Sequence, residues 1–120
     1  MAKSFEQLDA WKHAINLAVQ LYQITNKFPK NEIYGITSQI RRAVVSISSN
    51  IAEGSGVGSN LNYIHHLKIA IGSLNEVENL IIIATRLKYI KSEDFKDLDK
   101  SIKRIRKLIY GLINYLKKQN

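Results

Sequence analysis

Residues 39–54 read Gln39-Ile40-Arg41-Arg42-Ala43-Val44-Val45-Ser46-Ile47-Ser48-Ser49-Asn50-Ile51-Ala52-Glu53-Gly54. With Ile33 and Ile36 just ahead of them, Ile40, Val44, Ile47 and Ile51 keep the spacing of one α-helical stripe. At about 100° per residue, Arg42, Ser46, Ser49 and Glu53 fall on the other side, with Val45 and Ala52 between them. One face therefore seeks a core, and the other mixes polar and apolar groups of the kind that meet a partner. Gly54, followed by Gly56 and Gly58, is expected to end this helix in a left-handed turn.

The same periodicity extends to both sides. Upstream, Leu8, Trp11, Ile15, Ala18 and Tyr22 form one stripe, and Ala14, Leu17, Leu21 and Ile24 form a second beside it. So wide an apolar face fits a helix with two neighbours. Ser4 with Gln7 reads as a capping box at its start, and Phe28-Pro29 stops it. Downstream, Ser59 caps a helix whose core stripe reads Ile64, Leu67, Ile71, Leu74, Glu78 and Ile81, which places a carboxylate at a core position. Gly72-Ser73 interrupt it midway, where close helix contact would account for a costly glycine. A last helix starts at Ser92, with Glu93 and Asp94 favourable to its dipole. It carries Phe95, Leu98, Ile102, Ile105, Ile109, Leu112 and Leu116 at strict three-four spacing. Short connections make successive helices antiparallel neighbours. The expected fold is all-α, an antiparallel up-down-up-down four-helix bundle, one domain over residues 1–120 with helices at about 5–27, 31–54, 59–88 and 92–118.

Composition bounds the function. A chain of 120 residues can bury roughly two-thirds of its unfolded surface without metal or disulfide support. It has no cysteine, which excludes disulfides and thiolate metal sites and fits a reducing cytoplasm. No signal pattern opens the sequence, and its longest apolar run, Leu80 to Ala84, is too short to span a bilayer. The net charge of +8 makes anionic partners, RNA or DNA among them, plausible on electrostatic grounds.

Catalytic and cofactor signatures are missing. His65 and His66 point about 100° apart on a helix and cannot grip one metal together. Neither a His-Glu-x-x-His nor a Glu-x-x-His pattern occurs, so no metal or cofactor is expected. Gly54, Gly56 and Gly58 lack the strand before and the Gly-Lys-Ser/Thr after that a phosphate loop needs. The charged residues on helices two and three, Arg41, Arg42, Glu53, Glu76 and Glu78, read as structural ion pairs or interface groups. Arg42 and Glu53 are about 16 Å apart along one helix and cannot pair within it. Glu78 at a core position requires a cation, and Arg41, bordering the helix-two stripe, is the expected partner.

From Lys100 to Lys118 there are seven Lys/Arg residues and no acid. Lys96, Lys100, Lys103, Arg104 and Lys107 cluster opposite the apolar stripe, and like charges at i,i+4 disfavour the helix by a few tenths of a kcal/mol each. Nucleic-acid contact and plain solvation both accommodate this face. No aromatic is interleaved between Lys100 and Lys107.

Further residues carry a family resemblance. Phe28-Pro29, Glu32, Tyr34-Gly35, Gln39 to Ala43, Ser46-Ile47, Asn50 to Gly54, Ile69-Ala70, Gly72-Ser73, Glu76, Glu78, Tyr89 and Ile90 together resemble the bacterial four-helix-bundle proteins encoded in intervening sequences of 23S ribosomal RNA genes. The accessory variability protein of diversity-generating retroelements is a relative of that family. The resemblance spans Phe5 to Leu116. It departs at Val57 and Asn62, where a basic and an acidic residue are usual, so this loop is not expected to hold phosphate. It implies a homopentameric, non-enzymatic bundle with a basic surface that binds nucleic acid. The other reading is a scaffold for a protein partner such as a reverse transcriptase. Val45, Ala52, Leu108 and Tyr115, outside the main stripes, are the expected self-association surface.

Overall fold

The computed structural model describes residues 5–119, so the capping box expected at Ser4 lies outside the described residues. The described residues form four α-helices: α1 Asp9–Thr25, α2 Ile36–Ser55, α3 Asn60–Arg86 and α4 Ser92–Lys118. Single 3-10 turns at Phe5–Gln7 and Lys30–Glu32 precede α1 and α2. The first two helices are thus shorter than their periodicity suggests. Pro29 and Gly35 bracket the second turn, and α2 begins only after Gly35.

Contacts between helices run in opposite directions along the chain. Ser46 meets Ser73 while Asn50 meets His66, and Glu78 meets Arg106 while Asn60 meets Leu116. Neighbours are therefore antiparallel, and α1 packs on α2 and α4, closing a square with α2 and α4 at opposite corners. The core is built from the stripes, with Leu17, Ile40, Ile47, Ile51, Leu67, Leu74, Ile81, Leu98, Ile102, Ile105 and Ile109 fully buried. In α1 the buried line is Ala10, Ala14, Leu17, Leu21 and Thr25, so the second stripe points inward and Tyr22 is exposed. In α4, Ile113 takes the core position and Leu112 its border.

Helix ends follow local chemistry. Ser59 Oγ accepts from the Asn62 amide at 3.1 Å, capping α3. At the far end Lys88 adopts a φ of 70°. The Lys88 amide then donates to Thr85 O and the Tyr89 amide to Ala84 O, a Schellman closure. It turns Tyr89 back onto Phe28, with ring centroids 5.3 Å apart, and its hydroxyl donates to Glu32 Oε2 at 2.9 Å. The two loops at that end of the bundle are thereby tied together.

Three expectations are corrected here. Gly54 is not a left-handed cap: it lies inside α2, buried, and the positive φ of 84° belongs to Gly58. A Cβ on Gly54 would sit 2.8 Å from His66 Cβ and 3.0 Å from Tyr63 Cδ1, so this glycine lets α3 approach. Gly72 does the reverse, for a Cβ there would meet nothing within 4 Å. Leu108 is only partly exposed, because it packs against the core edge.

Candidate functional site

The core stripe of α3 passes through Leu74, Val77 and Ile81, so Val77 rather than Glu78 occupies the interior. Glu78 sits one residue round the helix, half-buried at the α3/α4 border. Its partner is Arg106 and not Arg41: Arg106 Nη2 lies 2.6 Å from Glu78 Oε1 and 2.9 Å from Asn75 Oδ1. Arg41 is engaged elsewhere. Its Nε donates to Thr25 Oγ1 and its Nη2 to Asn26 Oδ1, both at 2.9 Å, and its guanidinium lies 4.7 Å from the Tyr22 ring centroid. It ties the C-terminus of α1 to α2. Glu78→Ala is therefore expected to cost about 1 kcal/mol, the scale of a solvent-accessible pair, because the two side chains keep 32% and 27% of their surface in water. Chemical denaturation checks this. A loss of roughly 3–5 kcal/mol, expected of a buried pair, would contradict the geometry.

A polar seam runs along the outside of the α2/α3 contact. His66 Nδ1 donates to Asn50 Oδ1 at 3.1 Å, and Glu53 Oε1 lies 3.9 Å from the same nitrogen. Asn50 Nδ2 donates to the Ser46 carbonyl at 2.9 Å and to Ser46 Oγ at 3.1 Å, and Ser73 Oγ donates to Ser46 Oγ at 2.8 Å. The seam opens into a groove that Arg42, Gln39, Tyr34 and Glu76 line with Ser46 and Ser73. Of the charged residues singled out in the sequence, the fold thus gathers Arg42, Glu53 and Glu76 on one seam and separates Arg41 and Glu78 from it. The sequence reading missed His66 as a seam member. Its signal was the distance from Asn50, which matches an antiparallel turn through residues 56–59.

The second candidate surface is α4. Lys96, Lys100, Lys103, Arg104 and Lys107 are all exposed. Lys103 Nζ is 2.8 Å from Asp99 Oδ2, one turn earlier. That hydrogen bond, with the attraction of the Asp99 carboxylate, raises its pKa and keeps it cationic. Among the described residues, no ion pair involves Lys96, Lys100, Arg104 or Lys107. Arg106 faces α3 instead and is spent on Glu78.

No helix among the described residues is long and apolar enough to cross a membrane. No curated protein matches the chain. Among solved structures it is similar to a protein of unknown function from the S23 ribosomal protein family of Bacteroides thetaiotaomicron VPI-5482. The TM-score is 0.81 at 24% sequence identity, over 88% of this chain and 95% of that one, which speaks for the fold alone. Residues 6–111 match the family of 23S rRNA-intervening sequence proteins, and the chain belongs to that family.

Proposed function

We propose that this protein is a non-enzymatic, homo-oligomeric bundle that binds RNA or DNA through the outer face of α4. The observation that carries the reading is the row Lys96, Lys100, Arg104 and Lys107, exposed and without carboxylate partners among the described residues, on a helix that bears no acid after Asp99. Such a row repels itself within the chain and is relieved by phosphates. Contacts of this kind position a duplex without reading its bases, so sequence preference is expected to be weak.

Self-association is supported by α3. Leu61 is 75% exposed, and Ile69, Ile82, Ile83 and Leu87 are also exposed along this helix. Large apolar side chains left in water in this way favour burial against another copy. The ring of five subunits implied by the family resemblance would repeat the α4 face around its rim. A labelled RNA or DNA duplex titrated with the protein at low salt tests the binding, and light scattering tests the assembly. Binding by a species several times the 13.7 kDa chain mass is expected. No binding at low salt refutes the nucleic-acid reading, and a mass equal to the chain mass refutes the assembly.

A further inference from the structure

The groove at the head of the α2/α3 seam holds groups that neither the core nor the α4 face uses. It is an open groove of about 530 Å³, a volume in the range of small-ligand sites, and Arg42, Glu76, Gln39 and Tyr34 line it. Among the described residues, Arg42 and Glu76 form no ion pair with each other or with any other group. Opposite charges that share a groove without meeting suit an occupant that accepts from one and donates to the other. Tyr34 stands at the rim with 95% of its surface in water. A ring so exposed covers nothing in this chain and offers a flat face for stacking.

We propose that this groove binds a single unpaired guanine base. Guanine carries two acceptors, O6 and N7, on one edge, and a guanidinium meets them with two parallel hydrogen bonds. Its adjacent edge carries two donors, N1–H and the N2 amine, which the two oxygens of a carboxylate accept together. Placed between Arg42 and Glu76 it satisfies both, and Tyr34 stacks on its plane as aromatic side chains do on splayed-out bases. Adenine offers the carboxylate only its N6 amine, and uracil turns carbonyl oxygens toward it. The base belongs either to a free nucleotide or to a single-stranded nucleic acid, and the groove chemistry is the same for both. The site is independent of the phosphate contacts proposed for α4, which stands at the corner of the bundle opposite α2.

The test is a titration of the full-length, ¹⁵N-labelled protein with GMP, IMP and AMP, followed by NMR. GMP is expected to shift the amides of Arg42, Ser73 and Glu76 and to bind at least about tenfold more tightly than AMP. IMP, which lacks the N2 amine, should fall between. Glu76→Ala should shrink the preference for GMP over AMP and abolish the difference between GMP and IMP, and Tyr34→Ala should weaken both GMP and AMP by about the same factor. Circular dichroism confirms that these exposed substitutions leave the helices intact. Tighter binding of an oligouridylate with one central guanine assigns the base to single-stranded RNA, and equal affinity assigns it to the free nucleotide. Equal binding of GMP and AMP, or no shift with either, overturns the proposal. If GMP shifts nothing and Arg42→Glu changes the mass in light scattering, the groove is instead a contact between copies. Duplex binding without GMP binding overturns this inference alone, and GMP binding without duplex binding overturns only the α4 reading.

Discussion

Val77→Glu is expected to destabilise the bundle by about 4 kcal/mol or more, through a carboxylate buried without a partner. Val77 is fully buried, and its neighbours along the α3 stripe are Leu74 and Ile81, both also at zero exposure. Neither of these apolar side chains can donate to an added carboxylate. The variant would hold its new glutamate protonated in the folded state, well above the ordinary carboxylate range near 4.3. The folded chain then binds more protons than the unfolded one across that window, so stability should fall as pH rises from about 4 to 7. Denaturant midpoints at those two pH values, at one fixed protein concentration, check both statements. A loss no larger than that of Glu78→Ala would mean that α3 is rotated from the orientation described here.

Gly54→Val carries the next largest effect. The added Cβ would sit 2.8 Å from His66 Cβ, 3.0 Å from Tyr63 Cδ1 and 3.3 Å from the Tyr63 carbonyl, so the backbone of α3 itself would have to move. Overpacking of this kind costs roughly 3 kcal/mol, or about 10 °C of melting temperature for a domain of this size. The movement would also strain the Asn50–His66 and Ser46–Ser73 hydrogen bonds along the same seam. Gly72→Ala is the matched control, because open space and a better helix former should together gain up to about 1 kcal/mol. If Gly54→Val melts with the parent, close approach of α2 and α3 is not the reason for the glycine.

How much of this was legible in the sequence varied by helix. The stripe Ile40, Val44, Ile47 and Ile51 is wholly buried in α2, as its spacing required, and the strict repeat of α4 fixed its inner face as far as Ile109. The phase of α3 was harder to read because its apolar residues surround the helix. After Leu74 a step of three leads to Val77 and a step of four to Glu78, and periodicity alone admits both. Packing decides, since Val77, Ile81 and Ala84 continue the buried line. The partner of Glu78 depended on that phase and on the register of α4 against α3, which the turn through Lys88 sets. Gly54 carried a misleading signal, because three glycines in five residues look like a helix stop. The steric need for the first of them comes from Tyr63 and His66, on another helix. The outward row on α4 was legible throughout, whereas the attachment of Lys103 to Asp99 is settled only by the side-chain conformations in the folded helix.

The most direct test of that row compares the parent with a variant carrying glutamine at Lys100, Lys103, Arg104 and Lys107. Both would be titrated on one RNA duplex between roughly 50 and 200 mM salt. Each phosphate neutralised contributes a slope of about −0.9 in log affinity against log salt. With Lys103 already held by Asp99, the variant should bind more weakly with a slope shallower by about 3, at unchanged mass and a melting temperature no lower than the parent's. A variant that keeps the parent's slope would contradict the assignment of phosphate binding to α4.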